Sequence, residues 1–238
     1  REAEFLDVIT KASSLAASQD KLFTLGIFPT RPETGYGYIQ YLHDDSFAKR
    51  VKTFTEKPQL ELAKTFLESG DFVWNSGIFI WGIQAIVGAL RSHMPEYAEI
   101  FEEMYAKSGG HPTSSDVLSV YSQCKNVSID YGVMEKASNV FMCMGEFAWS
   151  DLGSWASIHE ISEKDDRQNV VSANAMVYDS TNCIIKGSKD KLIVVQGLHE
   201  YLVGEFGNVF IVCDKNREDQ FRRFVNDVKG LPGGSEFL

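Results

Sequence analysis

The chain lacks the features that mark a membrane span, a zinc site or a nucleic-acid surface. No apolar run approaches the roughly 20 residues that a helix needs to cross a bilayer. Its four cysteines, Cys124, Cys143, Cys183 and Cys213, include no CxxC pair and have no histidine ligand beside them, which argues against zinc. Cys143 and Cys213 stand in apolar strand-like runs and read as buried thiols, and the chain is expected to be cytoplasmic. Lys and Arg number 23 against 33 Asp and Glu, a net charge of −10. That balance argues against a surface for phosphate backbones, which demand clustered cations. A small phosphate-bearing ligand stays open, because a metal ion can neutralise the local field. Neither a GxGxxG dinucleotide fingerprint nor a strict long repeat is present. Initiator Met and signal peptide are also missing. Arg1 to Leu6 already lie inside a helical pattern whose apolar positions are Phe5, Ile9, Ala12 and Ala16. One reading is a processed terminus or trimmed tag; the other is a further N-terminal segment ahead of Arg1.

What is present suits a globular protein. With 238 residues, 44% hydrophobic and 24% charged, one large or two modest domains are expected. Lys21 to Pro29 reads as a buried strand, Gly35 to Tyr41 and Val51 to Glu56 as further strands, and Leu60 to Leu67 as a helix closed by Gly70. Phe72 to Trp81 is a strand broken by Asn-Ser-Gly. Ile83 to Lys107 is a long helical pattern interrupted at Pro95. Asp116 to Gln123 and Ile129 to Ala137 read as helices, Val140 to Trp149 as a strand, and Leu152 to Ile161 as a helix. After Asp165 short β-prone runs follow one another from Asn169 to Asp214, closed by a helix from Arg217 to Val228. The pattern predicts an α/β domain over 1–165 and a β-rich domain with a terminal helix over 166–238, divided in the charged stretch Glu163 to Gln168.

Five clusters hold residues capable of chemistry. Glu56-Lys57-Pro58 ends a strand, at the mouth where open α/β sheets bind ligands. The carboxylate suits sugar hydroxyls and the ammonium a phosphate, although a solvated turn explains the same tripeptide. Trp74-Asn75-Ser76-Gly77 interrupts an apolar strand, either as a β-bulge or as a polar contact to a hydroxylated ligand; a bulge alone leaves Asn75 and Ser76 needing a buried partner. Gly35-Tyr36-Gly37-Tyr38 reads equally as a strand entry or as backbone and aromatic wall of a sugar pocket. Asp151, between a strand and a helix, reads first as an N-cap, with a Mg²⁺ ligand as the alternative. Asp130 and Glu135 form a weaker fifth cluster, explained as readily by a helix's first turn and exposed face.

The order and spacing of these segments are more specific than any one of them. TGYGYI, FTEKP, WNSGIF, SIDYGVMEK and WSDLGSW together resemble the mannose-1-phosphate guanylyltransferase family, within the sugar-1-phosphate nucleotidyltransferases, and the resemblance covers essentially the whole chain. It implies a Rossmann-like, GT-A-like sheet with helices, followed by a β-rich domain of the kind often built as a short left-handed β-helix that serves packing and dimerisation. It implies a pocket for mannose 1-phosphate lined by Gly35, Tyr36, Tyr38, Glu56, Lys57, Asn75, Ser76, Gly77 and Asp130. Lys57 would hold the sugar's phosphate, and Asp151 the catalytic Mg²⁺. The implied reaction is direct displacement: a sugar-phosphate oxygen attacks the α-phosphorus of GTP, giving GDP-mannose and pyrophosphate, without a nucleophilic Ser, Cys or His. A homodimer is implied as well.

The sequence departs from the family in having no Gly-rich loop with a basic residue (GGxGxRxxP-like). The second metal-binding Asp is expected just ahead of Arg1. The polypeptide is therefore expected to carry the sugar side without the nucleotide side, and to be inactive alone. Two alternatives stand beside this: a related transferase for another sugar 1-phosphate, and a non-catalytic scaffold or regulator.

Overall fold

The computed structural model describes residues 1–238, the side chain of Glu218 excepted. It forms two compact units, Arg1–Trp149 and Ser150–Leu238. Among the described residues no helix is long and apolar enough to cross a membrane.

The first unit is built on β1 (Leu22–Ile27), whose every residue is buried. A continuous apolar run of this kind is what a strand covered on both faces requires. Leu22 points into a core shared with Ile39, Phe54, Val73 and Met142. Phe23 and Leu25 face the opposite core, with Ala12, Tyr38, Trp74 and Cys143. Around β1 stand β2 (Gly37–Tyr41), β3 (Ala48–Thr55), β4 (Phe72–Trp81) and β5 (Val140–Gly145). They close on themselves in the order β1-β4-β2-β3-β5. Of these pairings β1 with β5 is parallel; β1–β4, β2–β4, β2–β3 and β3–β5 are antiparallel. The unit is thus mixed α/β as expected, but its sheet is closed and largely antiparallel. The open, parallel arrangement assumed for the mouth at Glu56 is corrected accordingly. The link between β2 and β3, residues 42–47, is too short for a crossover and makes that pair antiparallel; the other pairings join strands distant in the chain.

The helices follow their sequence signals. α1 (Glu2–Ser18) buries Ala12 and Ala16. α2 (Leu60–Ser69) stops at Gly70, which takes the left-handed conformation at φ 72°. α3 (Ile83–His93) and α4 (Pro95–Lys107) are divided at Pro95. α5 (Ser114–Tyr121) opens with a capping box between Thr113 and Asp116. The helix expected over Ile129 to Ala137 is a single π-helical turn, Asp130–Met134.

The second unit opens with α6 (Trp155–Ile161). Trp155 packs on Val170, Ile184 and Leu202, so α6 joins the β-rich part and the compact units divide ahead of Glu163 to Gln168. β6 (Val170–Ser172), β8 (Ile184–Lys186) and β10 (Tyr201–Phe206) stack in parallel, with Val170, Ile184 and Leu202 in register. β7 (Asn174–Tyr178) and β9 (Leu192–Gln196) form a second parallel pair. Ahead of each aligned position in the larger sheet sits a left-handed corner residue: Gln168 (φ 64°), Asn182 (φ 56°) and Glu200 (φ 61°). Asn182 N donates to Arg167 O at 3.0 Å and Glu200 N to Thr181 O at 3.1 Å, so the second and third corners are each tied to the one before. β11 (Val209–Asp214) returns antiparallel to β10, and α7 (Phe221–Lys229) follows.

Candidate functional site

The sequence break in β4 is a bulge. Thr24 of β1 pairs with Phe79, but Gly26 pairs with Asn75, so β4 carries the excess residues. Gly77 takes φ 72°, a conformation that suits glycine. Asn75, 7% exposed, has the buried partner its position demanded. Its Oδ1 accepts from Thr24 Oγ1 at 2.9 Å and from Gly77 N at 3.2 Å, while its Nδ2 donates to Asp130 Oδ1 at 3.2 Å. Three elements, β1, the bulged β4 and the π-helical turn, therefore meet on one amide.

Glu56 and Lys57 follow directly on β3. Lys57 stands in the left-handed region at φ 47°, which costs a non-glycine residue about 1–2 kcal/mol. Two backbone bonds hold this turn: Lys57 N donates to Tyr36 O at 3.2 Å, and Glu56 N donates to Glu135 Oε1 at 3.1 Å. Lys57 Nζ donates to Glu56 Oε1 at 2.7 Å, with the Lys57 side chain 58% exposed and that of Glu56 only 7%. The hydrogen bond to Glu56 raises the Lys57 pKa above the ordinary lysine value, with the charges of Glu56, Asp130 and Tyr131 adding to it. A Cβ at Gly37 would lie 2.5 Å from Glu56 Oε2 and 3.2 Å from Asn75 Cβ, so the carboxylate keeps this position only beside a glycine and would swing away from a larger residue.

The structure therefore gathers Glu56, Lys57, Asn75 and Asp130 around Gly37. Carboxylates that accept, an amide that donates and an exposed ammonium suit a ligand carrying both hydroxyls and an anionic group. Tyr36 contributes its carbonyl, and its ring stands edge-on to Trp74 at 5.2 Å and Trp149 at 5.3 Å. Gly35 N donates to Glu33 Oε1 at 3.1 Å, and Ser76 Oγ accepts from Ile78 N at 3.2 Å; both serve local turns beside the cluster. Tyr38 departs from its expected role as an open aromatic wall. It is fully buried, its ring 5.3 Å from Phe66, and its hydroxyl accepts from Glu33 N at 2.9 Å.

Asp151 belongs to the second unit. The cap of α6 is not Asp151 but Ser154, whose Oγ accepts from Ser157 N at 3.0 Å. Asp151 Oδ1 accepts from Ser157 Oγ at 3.4 Å, and its carboxylate is exposed. An exposed carboxylate fits a hard cation that keeps several waters and substrate oxygens in its shell. Among the described residues no three of His, Cys, Asp and Glu gather in a way that holds a metal.

Sequence reasoning passed over Thr24 and the contact made at Gly37. A lone hydroxyl inside the apolar run LFTLGI was the available signal for Thr24, since a buried hydroxyl needs a partner. Nothing local in the sequence marked the approach of Glu56 to Gly37.

A putative mannose-1-phosphate guanylyltransferase of Vibrio cholerae is 34% identical over 233 residues, covering 96% of this chain and 49% of its own length. A mannose-1-phosphate guanylyltransferase of Sinorhizobium fredii is 36% identical over 195 residues, covering 79% of this chain and 37% of its own. The chain thus spans half or less of the length of these curated relatives. A crystal structure from Thermus thermophilus, described as a mannose-1-phosphate geranyltransferase, superposes with a TM-score of 0.84 at 27% identity. It covers 97% of this chain and 66% of its own. Residues 2–168 match the family described as Nucleotidyl transferase, and the chain belongs to that family.

Proposed function

We propose that this chain carries the sugar-1-phosphate side of a mannose-1-phosphate guanylyltransferase, which joins GTP and mannose 1-phosphate into GDP-mannose and pyrophosphate. The observation that carries the reading is the Glu56–Lys57–Asn75–Asp130 cluster around Gly37. The relatives' names supply mannose and guanine. Glu56 and Asp130 accept hydrogen bonds from sugar hydroxyls, and Asn75 Nδ2 donates to a sugar oxygen. Lys57 holds the phosphate as a point charge, aligning its oxygen for attack on the α-phosphorus of GTP. Asp151 would hold Mg²⁺, which supplies charge neutralisation on the triphosphate. Alignment and charge account for catalysis without a protein nucleophile, as phosphoryl-group chemistry permits.

The parallel passes of β6, β8 and β10 and of β7 and β9 support reading the second unit as a short β-helix; that it is left-handed and serves packing and homodimerisation is the extension proposed from the resemblance. Calorimetric titration of the polypeptide with mannose 1-phosphate, its glucose epimer and, separately, GTP with Mg²⁺ tests the reading. Binding of mannose 1-phosphate in preference to the epimer is expected, and GTP is expected to bind poorly to this polypeptide by itself. Equal binding of both sugars moves the assignment to a related transferase; binding of neither sugar removes the site reading.

A further inference from the structure

Thr24 is the one polar side chain in β1, and it is fully buried. A hydroxyl in an apolar strand is unfavourable unless it is bonded. Its oxygen lies 2.9 Å from Asn75 Oδ1 and 3.2 Å from the Ile78 carbonyl, both acceptors. The orientation of the Asn75 amide follows from its other neighbours. Gly77 N–H can only donate, so the atom it meets at 3.2 Å is the amide oxygen. An ionised Asp130 can only accept, so the atom it meets at 3.2 Å is the amide nitrogen. Of the two acceptors the amide oxygen is the nearer, so the single Thr24 proton is assigned to it, from within the core.

We infer that Thr24 is a positioning residue: its buried hydroxyl locks the Asn75 amide with oxygen inward, presenting Nδ2 to the pocket as a fixed donor. One Nδ2 proton goes to Asp130, and the other is held for a ligand oxygen. This rests on the reading of the pocket as a sugar-phosphate site. Without the hydroxyl, the amide keeps Gly77 N–H and Asp130 but loses the bond that fixes its oxygen from the core side, so its position is held less tightly.

The test uses Thr24→Val, which keeps the shape and removes the hydroxyl, and Thr24→Ser, which keeps the hydroxyl. Two readouts are taken on the 238-residue chain. One is mannose 1-phosphate affinity by calorimetry. The other is the ¹⁵N side-chain amide resonance of Asn75 without ligand, assigned with Asn75→Asp. Thr24→Val is expected to weaken binding about fivefold, the size of one neutral hydrogen bond, and to shift the resonance. Thr24→Ser is expected to restore both to within about twofold of the parent affinity and to the parent shift. A role in packing alone would lower the melting temperature of Thr24→Val and leave both readouts where they were, which overturns the inference. Should Thr24→Val not fold, Thr24→Ala takes its place and is compared with Thr24→Ser, a pair that differs by the hydroxyl alone. If the parent chain itself does not bind mannose 1-phosphate, the pocket reading fails. The resonance then judges Thr24: a shift that Ser reverses supports the lock, and an unmoved resonance overturns it.

Discussion

Gly37→Ala is the sharpest probe of the cluster, because it adds one methyl group at the point where β2 meets Glu56. Gly37 does not occupy the positive-φ region, so alanine is allowed by the backbone and the effect is steric. The new Cβ would stand 2.5 Å from Glu56 Oε2, while ordinary contact begins at 3.4 Å, so the oxygen must retreat by about 0.9 Å. Glu56 cannot make that move and keep its 2.7 Å bond to Lys57 Nζ unless both side chains shift together. Loss of the charge-assisted bond that Glu56 offers a ligand, about 1.5–3 kcal/mol, lowers affinity by about tenfold to a hundredfold. Overpacking of a tight site lowers stability by about 1–3 kcal/mol. Calorimetry with mannose 1-phosphate and a thermal melt measure the two effects. Glu56→Ala removes the group that is struck, so adding Gly37→Ala to it should cause little further destabilisation, a coupling that a double-mutant cycle reads directly. Gly37→Ala with parental affinity and stability would refute the contact, and additive losses in the cycle would place its effect elsewhere.

Other consequences are open to measurement. Lys57→Met, leaving the fold in place, should abolish detectable sugar-phosphate binding in calorimetry, since the cluster then presents carboxylates without their cation. Because the Lys57 pKa is raised on folding, its ionic contribution is complete below the ordinary lysine pKa and is lost only as pH rises through the higher folded value. Affinity should therefore show no decline due to Lys57 between neutral pH and the ordinary lysine range, and a fall centred near pH 8 would contradict this. Leu25→Ala, at a fully buried position in β1, should lower the stability of the first unit by about 2–5 kcal/mol in denaturant titration. Gln168→Gly should leave stability unchanged or raise it by up to about 1 kcal/mol, since it relieves a left-handed corner, whereas Gln168→Val should lower it by about 1–2 kcal/mol. Burial pushes the Cys143 thiol pKa up to about 12, so a thiol reagent at pH 8 should modify partly exposed Cys124 first and reach Cys143 only after unfolding.

The elements themselves were legible wherever one local rule dominated. The run LFTLGI announced a strand buried on both faces, Gly70 the end of α2, and Pro95 the division of α3 from α4. Pairing was not legible. Strand periodicity reveals which face is buried but not which neighbour lies alongside, so closure of the first sheet and its mixed directions came from the structure alone. The corners of the second unit were hidden for a chemical reason. Gln168, Asn182 and Glu200 hold a conformation usually marked by glycine, and their spacing along the chain is unequal. Within the candidate site, Glu56 meets Lys57, its neighbour in the chain, and Asn75 meets Asp130, a contact between segments that the sequence does not pair. Tyr38 did not join them, because it shares a strand face with the core that holds Phe23 and Trp74. Asp151 lost its expected capping role to Ser154, three residues nearer the helix, where the side chain reaches Ser157 N.

The corner residues of the second unit carry a consequence for how that unit melts. The backbone ladder joins β6 to β8 and β8 to β10, so along the strands cohesion passes from neighbour to neighbour like a stack of coins, with Trp155 lying against Val170, Ile184 and Leu202 of all three. A stack of this kind frays from its ends, and β11 folding back along β10 is the clasp on one of them. Loosening that clasp would expose a strand edge ready to accept any extended segment within reach.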